Sequence, residues 1–171
     1  MTSNLALHPA TVHWPFSFLT LSYGLDIIQP ARSLLPQAIQ TILPQQAELA
    51  KISYYALSIG LLTALPAVFS GVAQALQIVG KQGLFESDGK TIKPKFKTLI
   101  THAISADAVI ALSTYTWWYR SASDSVNQGD IVRTGLAVLL GLGMVFAAHN
   151  GGSLTYDYGM GLSVGKKGKS A

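Results

Sequence analysis

Four stretches of this chain are long and apolar enough to cross a bilayer, and 171 residues leave little room for anything else. A helix needs about 20 residues to span the hydrocarbon core. The first stretch covers 12–28, VHWPFSFLTLSYGLDII, and is interrupted by Pro15 and Gly24. The second covers 52–80 and carries Pro66 in its middle, where a kink is expected. The third, 96–119, is the most polar and includes His102 and Asp107. The fourth, 131–149, is capped by Asp130. It is rich in Gly135, Gly141, Gly143, Ala147 and Ala148, which let helices approach closely in lipid. Charged residues make up 12% of the chain, about half the usual share in a soluble protein. So few charges cannot cover the surface of a soluble domain this size. The predicted fold class is therefore an all-α membrane protein with a single domain over 1–171. Four transmembrane helices run up-down-up-down.

The connections fill in the rest. Between the first two spans, Leu34, Leu35, Ile39, Ile42 and Leu43 recur at helical spacing, which predicts a short amphipathic helix over 33–48 lying in the interface. The 81–95 loop is polar with turn signals, the basic tail 166–171 is expected to be flexible, and no internal repeat is evident.

An even number of spans puts both termini on one side with the 81–95 loop. That side carries Lys81, Lys90, Lys93, Lys95, Lys97, Lys166, Lys167 and Lys169. The opposite side carries Arg32, Lys51, Arg120 and Arg133. The positive-inside rule orients the termini to the cytosol or, in a mitochondrial inner membrane, to the matrix. Trp14, Tyr156 and Tyr158 mark one aromatic belt, and Tyr54, Tyr55, Trp117, Trp118 and Tyr119 the other. The start, MTSNLALHPATVHW, has neither a basic n-region with a cleavage site nor the arginines of a transit peptide, so targeting is expected from internal signals.

Several function classes fall away. With no cysteine, thiol catalysis, disulfides and cysteine-ligated metals are excluded. The net charge of +4 comes from bases flanking apolar segments, not from a basic face with interleaved aromatics, so nucleic acid is not an expected partner. GMGLSVG, 159–165, lacks GxGxxG spacing and the strand–helix context of a phosphate loop. No nucleophile is paired with a base, so no catalytic residue, metal site or cofactor is assigned.

Two features could carry chemistry. HPATVHWP, His8 to Pro15, brings two histidines to the mouth of the first span, and the topology sets all four histidines on one side. His13 and His102, with His149, could hold a b-type haem or relay protons. Histidines near an interface are also satisfied by headgroups, water and backbone carbonyls. Pro15 fits the first helical turn, where no N–H is missed. Asp107, a carboxylate in mid-span, is expected to cap a polar interhelical contact with Ser105, Ser113 or a threonine. On a transport reading it would be the coupling residue. Asp26 lies near the opposite side, within reach of water.

HPATVHWP before an apolar span resembles the "HP–x–x–VHFP" opening of the DUF2231 family of small four-span membrane proteins. GLLTALPAVFSG in the second span, a histidine opening the third and HNGGSLTYDYGMGLSV after the fourth resemble that family too. The last stretch fits its "GG–x–LVY–x–x–G–x–G" ending, with Thr155 where valine is usual, and the 31–50 segment is an insert. The likeness covers essentially the whole chain and implies the four-span architecture more than an activity. A narrower resemblance is to the X-type accessory membrane subunits of fungal mitochondrial complex I. It implies a non-catalytic part in assembling NADH:ubiquinone oxidoreductase in the mitochondrial inner membrane, with other membrane subunits and phospholipid as partners. The alternatives are a haem-b or quinone-linked redox protein using His13, His102 and His149, and a small proton-coupled transporter.

Overall fold

The computed structural model describes residues 7–122 and 131–160, and no strand occurs among them. Asp130, the tail 166–171 and most of GMGLSVG lie outside the described residues. The elements are α1 (Leu7–Thr11), α2 (His13–Ala31), a 3₁₀ turn (Arg32–Leu34), α3 (Gln37–Ile42), α4 (Gln46–Gln82), α5 (Pro94–Ala122) and α6 (Ile131–Tyr156). Three of them, α4, α5 and α6, are long and apolar enough to cross a membrane. The helix α2 has 19 residues, but Ser22, Asp26 and Gln29 dilute its apolar character.

The expected interfacial helix over 33–48 is broken into pieces. Pro36 precedes α3 and Pro44 follows it, and proline holds the residue before it out of the helical region. Arg32 ties the pieces down, donating from Nη2 to the Gln40 carbonyl at 2.7 Å and from Nε to that of Pro44 at 3.1 Å. The next helix starts earlier than expected because Gln45 and Glu48 form a capping box at its N-terminus. It then runs through Pro66 without a break. At 37 residues and 1.5 Å rise it is about 55 Å long, longer than the thickness of a hydrocarbon core. At its C-terminus Lys93 Nζ caps the last carbonyls, Gln82 at 2.5 Å and Gly83 at 3.1 Å.

Hydrogen bonds between helices set their directions. His8 reaches Ala67, Ser22 reaches Ser53 and Gln29 reaches Gln46, so α2 and α4 are antiparallel. Tyr23 Oη lies 2.6 Å from Ser113 Oγ, and Asp26 meets Arg120, so α2 and α5 run parallel across the bundle. His102 reaches Ala147, which makes α6 antiparallel to α5. Leu19, Tyr23, Leu57, Val109, Ala137 and Leu140 form the apolar core at mid-bundle.

Two helical hairpins, α2–α4 and α5–α6, are related by an internal two-fold that residue identities conceal. The inward positions of α2 include Pro15, Leu19, Ser22, Tyr23 and Asp26. Ninety-four residues on, the spacing of the Asp26–Arg120 contact, they become Val109, Ser113, Thr116, Trp117 and Arg120. Four of these are buried, and Trp117 packs half-buried against the core. Likewise Ser53, Leu57, Gly60 and Ala67 of α4 map, eighty residues on, to the buried Arg133, Ala137, Leu140 and Ala147 of α6, and Ala56 and Ala64 map to the half-buried Leu136 and Met144. Equivalent residues that touch each other must lie at the axis. Two pairs do so, His8 with His102 and Asp26 with Arg120. Their separation of 18 residues along each chain segment corresponds to about 27 Å of helix, close to the thickness of a bilayer core.

Candidate functional site

The two axial pairs are the polar centres of the bundle. At one end the Asp26 carboxylate is 3% exposed. Its Oδ1 accepts a hydrogen bond from Ser53 Oγ at 2.6 Å, and its Oδ2 one from Arg120 Nη1 at 3.2 Å. Arg133 Nε stands 3.7 Å from Oδ1. Arg120 also donates to Ser53 Oγ at 3.2 Å and to the Ala50 carbonyl at 2.9 Å, and its guanidinium lies 5.4 Å from the centre of the Tyr54 ring. Arg133 Nη2 donates to Gln29 Oε1. All four long helices contribute to this cluster, which gathers one carboxylate and two guanidiniums inside the bundle.

This arrangement corrects the expectation for Asp26, Arg120 and Arg133. Asp26 is not within reach of water, and the two arginines, near the facing ends of α5 and α6, turn into the bundle instead of standing as free bases of that side. All three are buried at the pseudo-symmetry axis. The signal was present in the spacing, since Asp26 and Arg120 each follow a histidine by 18 residues.

At the other end, His8 of α1 and His102 of α5 meet with ring centroids 6.3 Å apart and planes at 72°. Each ring is held in the same way. His8 Nδ1 lies 2.9 Å from the Ala67 carbonyl oxygen, and His102 Nδ1 lies 2.8 Å from that of Ala147. A carbonyl only accepts, so each Nδ1 carries the proton and each Nε2 of the neutral ring is an acceptor. One helical turn on from each carbonyl stands a glycine. A Cβ at Gly71 would come within 2.8 Å of His8 Cε1, and one at Gly151 within 3.0 Å of His102 Cε1. A side chain at either position would press on the imidazole. The helix α6 continues through HNGG to Tyr156, beyond the expected end at His149, with Gly151 inside it. Burial, first, and the nearby His102 hold the His8 imidazole below the ordinary histidine range, against the opposite pull of the Ala67 hydrogen bond. Thr11 Oγ1 and Ser70 Oγ, 2.9 Å apart, close the site beside His8.

The histidine trio is therefore placed differently from expectation. His102 meets His8, whereas His13 and His149 are exposed on the outside of the bundle. Asp107 also departs from expectation. It is exposed, and the expected contacts are taken: Ser105 donates to the His102 carbonyl, and Ser113 to that of Val109. Of the fourth-span glycines, Gly143 admits a neighbour, Val109, while Gly135 and Gly141 face open space. Among the described residues no group of three or more histidine, aspartate or glutamate side chains gathers as a metal cluster.

No curated protein and no solved structure matches the chain. A family model described as a predicted membrane protein, DUF2231, matches residues 4–164. The chain thus belongs to the DUF2231 family of predicted membrane proteins.

Proposed function

We propose that this protein is a non-catalytic accessory subunit that supports the assembly and stability of a respiratory membrane complex. On its narrower resemblance, that complex is mitochondrial NADH:ubiquinone oxidoreductase, complex I. The observation that carries the reading is the use made of the strongest charges. Both oxygens of Asp26 are engaged by Ser53, Arg120 and Arg133, so this cluster is spent on holding α2, α4, α5 and α6 together. The apolar core of Leu19, Val109 and Leu140 lies between the cluster and the histidine pair, which argues against a proton path through the bundle. Outside, Leu62, Phe69 and Leu76 of α4 and Leu139, Leu142 and Val145 of α6 are exposed. They suit lipid tails or the helices of neighbouring subunits.

In this reading α2 is the fourth span, packed along α4 and α6, with both termini on the matrix side of the inner membrane. Burial of Arg120 and Arg133 supports that orientation, because it leaves Arg32 and Lys51 as the bases of the opposite side. The exposed Tyr55, Trp118 and Tyr119 there suit an interfacial belt. Native electrophoresis after mild detergent extraction tests the reading. Co-migration with complex I, and loss of assembled complex when the chain is deleted, is expected. Migration as a free small oligomer sinks it.

A further inference from the structure

We propose that His8 and His102 are the two protein ligands of a single transition-metal ion, with monovalent copper as the ion that fits. The inference stands on the local geometry and is independent of the accessory-subunit reading. Histidines that bind metals nearly always donate their second ring N–H to a backbone carbonyl, a carboxylate or a water, which fixes the tautomer and aims the other nitrogen. Both rings meet that condition here, His8 through Ala67 and His102 through Ala147. Each therefore offers Nε2 as a lone-pair donor.

The spacing agrees. With metal–nitrogen bonds of about 2.0–2.1 Å, two imidazoles on one ion place their ring centroids roughly 6 Å apart, and here the centroids are 6.3 Å apart. Two simple hydrogen-bonded staples would account for the Nδ1 contacts alone. They do not account for why equivalent staples of the two hairpins converge on each other at the axis, each over a glycine that gives up helix propensity to admit the ring.

The donor set selects the ion. Two neutral imidazoles supply no negative charge, and among the described residues no carboxylate joins them to make a group of three. A monovalent ion is the least costly to bring into such a setting, because the desolvation cost rises with charge. Imidazole is a good ligand for copper, and Cu(I) is content with two. Zinc requires four ligands and would have to find two beyond the pair. Both rings are half-buried, so the ion has access from the surrounding medium. A macrocycle is disfavoured because the backbones of α4 and α6 press against the Cε1 side of each ring.

The test uses the purified full chain without a histidine tag, titrated with Cu(I) against a competing chelator. One ion per chain is expected, with X-ray absorption showing two nitrogen scatterers. The variants H8N and H102N are the informative ones. Asparagine keeps an N–H near the position of Nδ1, and so preserves the staple to the carbonyl, but it removes the donor at Nε2. Each is expected to abolish the stoichiometric site while melting close to the wild type, and H13N and H149N are expected to keep it. If H8N or H102N does not fold, Gly71→Ala serves instead and is expected to weaken the site at least tenfold by displacing the His8 ring. The proposal is overturned by wild-type protein that binds no copper, by binding that survives H102N or G71A, or by binding that is lost with H13N or H149N. A haem Soret band that disappears in H102N also overturns it, because the ring would then serve a porphyrin.

Discussion

Asp26 and Arg120 occupy equivalent positions of two related helical hairpins and close on each other at 3.2 Å, both almost fully buried. A charge pair at a pseudo-symmetry axis breaks the symmetry it sits on. One hairpin supplies the carboxylate and the other the guanidinium, so the halves pair with each other and not each with a copy of itself. Arg133 repeats the logic on the second helix, standing where Ser53 stands on the first and reaching the same carboxylate at 3.7 Å. Such polar devices specify register and partner more than they add stability, since desolvation offsets much of their attraction.

Removing the carboxylate alone should therefore be worse than removing the pair. Asp26→Asn leaves Arg120 and Arg133 buried without their carboxylate and is expected to destabilise the bundle by about 3–5 kcal/mol, whereas Arg120→Met leaves Asp26 its contact with Arg133 and should cost less. The double variant should recover part of the Asp26→Asn loss, since it leaves Arg133 as the single guanidinium without the carboxylate. Denaturant or thermal unfolding in detergent, arranged as a double-mutant cycle, measures the coupling. Costs that simply add would show that the two side chains do not act as a pair.

The helices were legible in the sequence because their signal is local. Apolar length placed α4, α5 and α6, and the prolines of 31–50 were visible even though their effect on the predicted interfacial helix was underrated. What the sequence concealed is relational. Asp26, Arg120 and Arg133 were read from their distance to a membrane edge, and position along a helix does not tell which face a residue occupies. The internal two-fold went unseen because it conserves inward-facing positions and not residue types: Leu19 answers to Ser113, and Asp26 to Arg120. The difference between His8 and His13 is hidden for a related reason. Five residues and a break between α1 and α2 turn the two rings to different surroundings.

The glycines of the long helices fall into two groups that should respond oppositely to alanine. At Gly71 and Gly151 a methyl group would meet an imidazole at 2.8 and 3.0 Å. Overpacking there is expected to cost about 1–3 kcal/mol and to shift the histidine side-chain resonances. At Gly80, Gly135 and Gly141 nothing lies within 4 Å, and alanine should stabilise by about 0.4–1 kcal/mol by restricting the unfolded chain. Melting temperatures in one detergent compare all five variants. A Gly151→Ala protein as stable as the wild type would mean the His102 ring does not sit over that glycine.

The turn between α4 and α5 should be acid-resistant down to an unusually low pH. Asp88 accepts hydrogen bonds from the Thr91 hydroxyl at 2.5 Å and from the Thr91 and Lys90 amides, each at 2.9 Å. The Thr91 side-chain bond leads the effects that push its carboxyl down to about 2 from 3.8. A depressed value means the carboxylate favours the folded turn at every pH above about 4, and that this contribution is lost as pH falls toward about 2. Amide exchange of Lys90 and Thr91 should stay slow through pH 4 and rise only near pH 2, whereas Asp88→Asn should show the faster exchange at all pH values. Opening of the turn around pH 4 would contradict the hydrogen-bonded carboxylate.

Asp107 offers the sharpest separation between fold and association. It is exposed in the middle of α5, and its carboxylate has no hydrogen bond or ion pair among the described residues. Its replacement should leave the isolated chain untouched. Asp107→Asn and Asp107→Leu are expected to change stability in detergent by no more than about 0.5 kcal/mol, as for surface positions generally. A carboxylate facing hydrocarbon is costly, so in the membrane this position calls for a polar or basic neighbour from outside the chain. If the protein is an accessory subunit, Asp107→Leu should reduce its co-migration with the assembled complex on native gels, with Asp107→Asn intermediate. A large drop in the detergent stability of either variant would show instead that Asp107 supports the bundle from within.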